Sequence, residues 1–178
     1  MKKLLLVSLS LVLISVFFAG STSRATAQEP KILEFDTMVG VPRPYTGATN
    51  AIRGIPGGGL PWVISSAQGE LKASGELEIQ VTGLVFDPAD PVVISRGVGG
   101  TNTVPNFKAI VSCLSKDADG NPITVNVSTG LFPADSAGNS AIEAQLSLPH
   151  PCIAPIIFVT SPASPTNPTG SWFAATGL

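Results

Sequence analysis

Strict alternation of apolar and polar side chains is the feature that most constrains the fold of this sequence. In Glu76–Thr82 the apolar side chains of Leu77, Ile79 and Val81 alternate with four polar ones. Successive side chains of a β-strand point to opposite faces, so this run predicts a strand with one buried face and one solvent face. Beyond residue 27, no run of ten or more residues has the apolar spacing of an amphipathic helix. The chain is therefore predicted to be all-β.

The same alternation recurs along the chain and defines an architecture. Residues 70–73 and 76–82 predict one hairpin, and residues 107–115 and 123–128 predict a second. Further strands are predicted at residues 62–65, 92–95, 142–148, 153–160 and 172–176. About eight short strands separated by turns are typical of a single antiparallel β-sandwich, for which we predict an immunoglobulin-like form, with a β-barrel as the alternative. The tryptophan and tyrosine that accompany the cysteines of antibody domains are missing.

The first 27 residues predict export. Lys2 and Lys3 precede an uncharged apolar run at residues 4–19, and residues 25–27 form a small-x-small cleavage site. This order is typical of a secretory signal peptide, here cleaved after Ala27. The apolar run is shorter than the roughly 18 residues of a membrane span, so no span is expected after cleavage. We therefore predict a protein that is secreted or periplasmic.

The mature chain is small and acidic. Loss of Lys2, Lys3 and Arg24 with the leader leaves seven basic and twelve acidic residues, a net charge of −5. A chain without a basic patch is not expected to bind nucleic acid or anionic lipid. The remaining 151 residues suit one domain.

Two cysteines, Cys113 and Cys152, are expected to form a disulfide, because an exported protein folds where thiols oxidise. Cys113 shares its strand face with Phe107, Ala109 and Val111, so the bridge should be buried. It would join the strand at residues 107–115 to the strand at residues 153–160. Pro155 in the second strand requires a bulge, an edge position or a later strand start.

The segment before residue 62 lacks any sustained period. Residues 39–61 contain four prolines and six glycines. We interpret residues 28–61 as an extended Pro/Gly-rich N-terminal arm and residues 62–178 as the β-sandwich domain.

Residues that could carry catalysis or bind a metal are few. The single histidine, His150, lies between two prolines, so neither a multi-histidine metal site nor a selected catalytic triad is predicted. Glu76 and Glu78 share a strand face and are interpreted as solvated rather than as a catalytic pair. The run from Asp117 to Asn121 resembles a calcium loop, but its glycine comes too early, and a hairpin turn explains it better. No cofactor and no metal are expected.

The aromatic side chains offer the best recognition surface that the sequence provides. Tyr45, Trp62 and Trp172 lie in or beside Pro/Gly-rich segments, where flat rings can stack on sugars or fill a pocket of a protein partner. We predict binding of an unknown protein or glycan there, against the alternative that the tryptophans belong to the core.

The sequence therefore predicts a secreted, non-enzymatic β-sandwich that acts by binding or as a structural part of the cell surface or periplasm. Two alternatives stay open. The protein could be a small extracellular hydrolase that uses carboxylates, or a subunit of a secreted assembly that docks through its N-terminal arm.

Overall fold

A computed structural model describes residues 29–177 of the chain, which form an all-β protein with several sheets. The predicted signal peptide lies outside the described residues. The strands are β1 (Lys31–Phe35), β2 (Val39–Gly40), β3 (Gly47–Ile52), β4 (Ile55–Gly57), β5 (Trp62–Val63), β6 (Ser66–Lys72), β7 (Glu76–Thr82), β8 (Val85–Phe86), β9 (Asn106–Lys116), β10 (Pro122–Ser128), β11 (Phe132–Pro133), β12 (Ser140–Gln145), β13 (Ile153–Thr160) and β14 (Trp172–Ala175). One α-helix, α1 (Pro91–Arg96), and one 3₁₀ helix (Arg43–Tyr45) complete the secondary structure of this part of the chain.

The smaller of the two main sheets has four antiparallel strands in the order β1-β6-β7-β12. Its central hairpin, β6 with β7, is the first predicted hairpin, which is confirmed. Leu77, Ile79 and Val81 are buried, whereas Glu78 and Gln80 on the other face are exposed. The alternation in the sequence of β7 therefore corresponds to one covered and one uncovered face of the sheet.

The larger sheet has eight strands and is strongly curled, like half of a barrel. Its path is β10-β9-β13-β14-β4-β3, with β11 paired to β9 and β2 paired to β14. The second predicted hairpin is confirmed as β9 with β10. Seven consecutive residues of β9, from Phe107 to Cys113, are buried, because this central strand is covered on both faces. A separate two-stranded sheet pairs β5 with β8.

Both main sheets contribute side chains to one continuous hydrophobic core. At one end of the core the Trp62 ring stacks on Phe173, with ring centroids 4.1 Å apart, and Phe107 meets Phe173 edge to face. Offset and edge-to-face contacts are the arrangements that aromatic rings prefer. The core therefore fixes how the two sheets lie against each other.

The predicted N-terminal arm is the first correction. Within the predicted arm at residues 28–61, residues 31–57 supply β1 to the small sheet and β2, β3 and β4 to the large one. Glycine explains why no period was visible: a Cβ at Gly57 would lie 1.9 Å from the carbonyl oxygen of Tyr45, so the close packing requires a residue without a side chain. Buried apolar residues such as Val41 and Ile55 stand singly among these glycines and prolines.

The predicted strand at residues 92–95 is the second correction, because these residues lie in α1. Asp90 caps the helix by accepting hydrogen bonds from the backbone N–H groups of Val92 and Val93. Pro91 occupies the first turn, and Gly97 ends the helix in the left-handed conformation. These start and stop signals outweigh the strand preference of the β-branched side chains between them.

The predicted disulfide is confirmed, and it lies within one sheet. Cys113 of β9 is bonded to Cys152, one residue before β13, with the two Cα atoms 4.9 Å apart. The pairing of β13 with β9 is irregular between Ile153 and Ile156, so Pro155 occupies a bulge, one of the three solutions expected for it. The bridge therefore holds together two neighbouring strands where their ladder is interrupted.

Candidate functional site

The outer face of the small sheet carries four glutamates in one row. Glu34 of β1 pairs with Glu70 of β6, Glu70 pairs with Glu78 of β7, and Glu78 pairs with Glu143 of β12. We call these four residues the glutamate row. Directly opposed residues of neighbouring antiparallel strands have Cβ atoms about 5 Å apart, so the carboxylates form a ladder across the whole sheet. The arrangement follows from strand register, which brings together residues that are up to 109 positions apart in sequence.

An open cleft of about 660 Å³ lies along the Glu34, Glu70 and Glu78 part of this row. It is lined by Glu34, Phe35, Asp36, Gln68, Gly69, Glu70, Glu78, Ile79 and Gln80. Gly69 lies in its floor, where a Cβ would be only 2.3 Å from the carbonyl oxygen of Glu78 and 2.7 Å from the Phe35 ring. The cleft therefore presents carboxylate and amide side chains around a floor in which a larger residue would not fit.

Two lysines balance one end of the row. The ammonium of Lys31 lies 3.0 Å from Glu34 and 2.6 Å from Glu70, and that of Lys72 lies 3.6 Å from Glu70 and 2.6 Å from Glu76. The hydrogen bond from Lys31 lowers the pKa of the Glu70 carboxyl. The hydrogen bonds to their glutamate partners raise the pKa of both lysines. At neutral pH Glu70 and the two lysines are therefore ionised.

The other end of the row is not balanced in this way. Glu78 and Glu143 form no salt bridge with any of residues 29–177. Like charges that face each other directly across two strands are unfavourable. The unpaired end therefore has a local excess of negative charge, which a positively charged ligand would relieve.

The acidic turn that resembled a calcium loop is a local hydrogen-bonded structure. The Asp117 carboxylate accepts hydrogen bonds from the backbone N–H groups of Asp119 and Asn121 and from the side chain of Asn121. The sequence Asp-x-x-Gly-Asn recurs at residues 135–139, where the Asp135 carboxylate accepts from the backbone and side chain of Asn139. In both turns these hydrogen bonds lower the pKa of the aspartate. A repeated turn motif thus explains the acidic residues, and no group of three or more metal-ligating side chains occurs among the described residues.

The three aromatic residues that the sequence singled out do not form one surface. Trp62 is buried in the shared core, and Trp172 is 0% exposed on the opposite face of β14 from Phe173. Tyr45 is 38% exposed and its ring centroid lies 6.3 Å from that of Trp172. The structure thus brings Tyr45 and Trp172 together, places Trp62 against Phe86 and Phe173, and exposes only the tyrosine.

Other residues singled out in the sequence lie apart from one another. His150 is exposed between its two prolines, Glu76 is bound by Lys72, and Glu78 alone of that pair belongs to the glutamate row. Glu34, Glu70 and Glu143 were not predicted as site residues, because their proximity depends on register. The available signal for Glu70 and Glu143 was an outward position in an alternating run, whereas Glu34 follows two consecutive apolar residues and had no such signal.

The chain matches no family model, no curated protein and no solved structure. Among residues 29–177 no helix has the length and apolar character that a membrane crossing requires. The functional assignment therefore depends on the side chains of the cleft and its surroundings.

Proposed function

We propose that this protein is a secreted, non-enzymatic binding protein that holds a lysine- or arginine-rich segment of a partner protein on the outer face of its small sheet. The observation that carries the proposal is the open cleft lined by Glu34, Glu70 and Glu78. Glu78 in this cleft and Glu143, which faces it from β12, have no salt-bridge partner among the described residues. An ammonium or guanidinium group beside them would form charge-assisted hydrogen bonds and offset the repulsion along the row. The flat, extended face suits an extended peptide.

Export supports the same proposal. The leader-like first 27 residues favour secretion, and the Cys113–Cys152 bridge is compatible with an oxidising compartment. We include in the proposal an immunoglobulin-like β-sandwich, which the shared core of the two main sheets supports. The position of the bridge within one sheet and the curl of that sheet are departures from the antibody pattern.

The hydrolase alternative has less support from the site. A carboxylate pair that cleaves glycosidic bonds includes a general acid, whose pKa is raised so that it stays protonated. The pKa of Glu70, which faces Glu78 across the sheet, is instead lowered by Lys31. This charge arrangement favours binding of a cation over proton donation.

Docking through the N-terminal arm has less support than binding on the small sheet. The backbone of residues 31–35 forms a ladder with β6, and residues 39–57 pair within the large sheet. Pairing of these strands within their own fold favours a structural role for the segment.

Titration calorimetry with an oligolysine peptide in low salt tests the proposal. We expect binding that weakens as salt is raised, because exposed charges are screened. The double variant E78Q/E143Q should weaken binding about tenfold or more, and the matched control Asp119→Asn removes a negative charge in a distant exposed turn without effect. Affinity unchanged in E78Q/E143Q, or binding of neutral oligosaccharides with no binding of the peptide, would overturn the ligand class. Turnover of a glycan, ester or peptide that Glu70→Gln abolishes would overturn the non-enzymatic assignment.

A further inference from the structure

The edges of the two main sheets differ in charge. The small sheet ends in β1, which carries Lys31 and Glu34, and in β12, which carries Glu143. The large sheet ends on one side in β10, whose seven residues, Pro-Ile-Thr-Val-Asn-Val-Ser, include no charge. Charged side chains on an edge strand prevent another strand from pairing with it. The edge of β10 lacks this protection.

The backbone of β10 presents free hydrogen-bonding groups at regular intervals. The N–H groups of Asp117 and Thr129 donate to Asn121 and Ala109 respectively, at the two ends of the β9–β10 ladder. Partners in an antiparallel ladder alternate between hydrogen-bonded and non-hydrogen-bonded pairs, so odd-numbered residues of β10 bond to β9. The even-numbered residues Thr124, Asn126 and Ser128 therefore direct their N–H and C=O groups away from the sheet.

The two sides of this edge are complementary to themselves. On one side β10 presents the β-branched residues Ile123, Val125 and Val127, and on the other it presents Thr124, Asn126 and Ser128. A two-fold axis through Val125 would place Val125 against its own copy and Ile123 against Val127. It would also place Thr124 against Asn126, so that apolar pairs form on one side and polar pairs on the other.

We infer that β10 is a self-association edge, on which a second copy of this chain pairs its own β10 in antiparallel orientation about Val125. The whole strand takes part, over roughly 23 Å, and the free N–H and C=O groups of Thr124 and Asn126 bond across the axis. No like charges approach each other in this pairing. The charged edge strands β1 and β12 could not pair with their own copies in this way. One added strand pair is a small interface, so the dimer is concentration-dependent. The glutamate row lies on the other main sheet, so dimerisation leaves it accessible.

Proline substitutions in β10 distinguish the contribution of its free edge to dimerisation from its contribution to the fold of the monomer. Thr124→Pro removes an N–H that points away from β9, so the monomer keeps its circular dichroism spectrum and Tm while dimerisation is lost. Val125→Pro removes a donor of the β9–β10 ladder and lowers the Tm, which verifies the assigned alternation. In sedimentation equilibrium we expect the average mass of the unchanged protein to rise with concentration towards twice the monomer mass. Thr124→Pro should remain monomeric throughout.

Cysteine cross-linking tests the register. Both native cysteines are bonded to each other, so a single introduced thiol can form only an intermolecular bridge. Val125→Cys should oxidise to a covalent dimer, because the two copies face each other at the axis. Ile123→Cys, on the same side but about 13 Å from its copy, should not. A monomer at every concentration, a dimer that survives Thr124→Pro, or equal cross-linking of both cysteine variants would overturn the inference.

Discussion

The two main sheets share one core but differ in what covers their second face. On the small sheet that face is open, and Glu78, Gln80 and Glu143 are exposed on it. On the large sheet Ile110 and Phe158, which pair with each other across β9 and β13, are buried although they lie on the opposite face of the sheet from Phe107. The first sheet therefore has a polar face available to a partner, whereas the second has a face already occupied.

The cover of the large sheet comes from the segment with the least regular sequence. The Arg53 guanidinium, in the turn between β3 and β4, donates to the carbonyl oxygens of Ser112 and Ala154 at the bulge in β13. The backbone oxygen of Arg53 accepts from the Asn126 side chain of β10, and the Tyr45 ring lies beside Trp172. Glycine and proline here allow the chain to turn back over its own sheet, so that an apolar second face can exist without being exposed.

The largest expected difference is in the free energy of unfolding when one residue on the second face of each main sheet is replaced. Phe158→Ala should lower the free energy of unfolding by about 3–5 kcal/mol, because it leaves a cavity among buried side chains. Gln80→Ala, at an exposed position of the small sheet, should change it by less than about 0.5 kcal/mol. Urea denaturation followed by fluorescence measures both. Similar values for the two variants would mean that the large sheet is not covered as described.

Removal of the disulfide should cause the next largest loss of stability, and the large sheet should be affected first. The bridge closes a loop with a sequence separation of 39 residues. The double variant C113A/C152A should lose about 2–4 kcal/mol of stability, chiefly because the unfolded chain gains conformational freedom. Reduction of the unchanged protein should give the same loss. Hydrogen exchange should then increase in β9 and β13 before it increases in β6 and β7, and the reverse order would contradict the assignment.

Much of this architecture could be predicted from the sequence, for a physical reason that also explains the failures. β6, β7 and β10 were found because a strand with unlike faces alternates in polarity. β9 was found because its alternate positions from Phe107 to Cys113 are all apolar, although the strand is buried on both faces. The segment 39–61 was missed because its buried residues Val41 and Ile55 have glycines or prolines for neighbours, so no period survives. Helix α1 was missed although Asp90, Pro91 and Gly97 signalled it, because the short β-branched run between them also satisfies a strand.

The site was predictable only in part, because it depends on register. A single sequence shows that Glu76 and Glu78 share a strand face, but not that Glu70 and Glu143 stand on either side of Glu78. The disulfide needed no such knowledge, since two cysteines allow one pairing. Trp62 and Trp172 are buried, as in the alternative that the tryptophans belong to the core, because aromatic rings beside apolar strands pack there.

The smallest expected effects concern two ion pairs that differ in the burial of their carboxylates. Asp90 is buried and accepts two hydrogen bonds from Arg43, at 2.6 and 2.5 Å, besides capping α1, whereas Glu70 shares Lys31 and Lys72 on the open face. The Arg43 hydrogen bonds lower the pKa of Asp90, and the Lys31 hydrogen bond lowers that of Glu70. A carboxyl whose folded pKa lies below its unfolded pKa stabilises the fold above the unfolded value, and that stabilisation is lost as the pH falls through the folded pKa.

Asp90→Asn should therefore lower the Tm by a few degrees at pH 7, and the difference from the unchanged protein should shrink as the pH is lowered from about 5 to about 2. Glu70→Gln should shift the Tm in the same direction by a smaller amount, because exposed pairs contribute little. Addition of 0.5 M salt should remove most of the Glu70 effect and leave more of the Asp90 effect, since screening acts less on a pair whose carboxylate is buried. Thermal melts of the two variants across this pH range, with and without salt, measure the difference. Equal salt sensitivity would mean that Asp90 is as open to solvent as the glutamate row, and that the contrast between the two faces does not extend to their ion pairs.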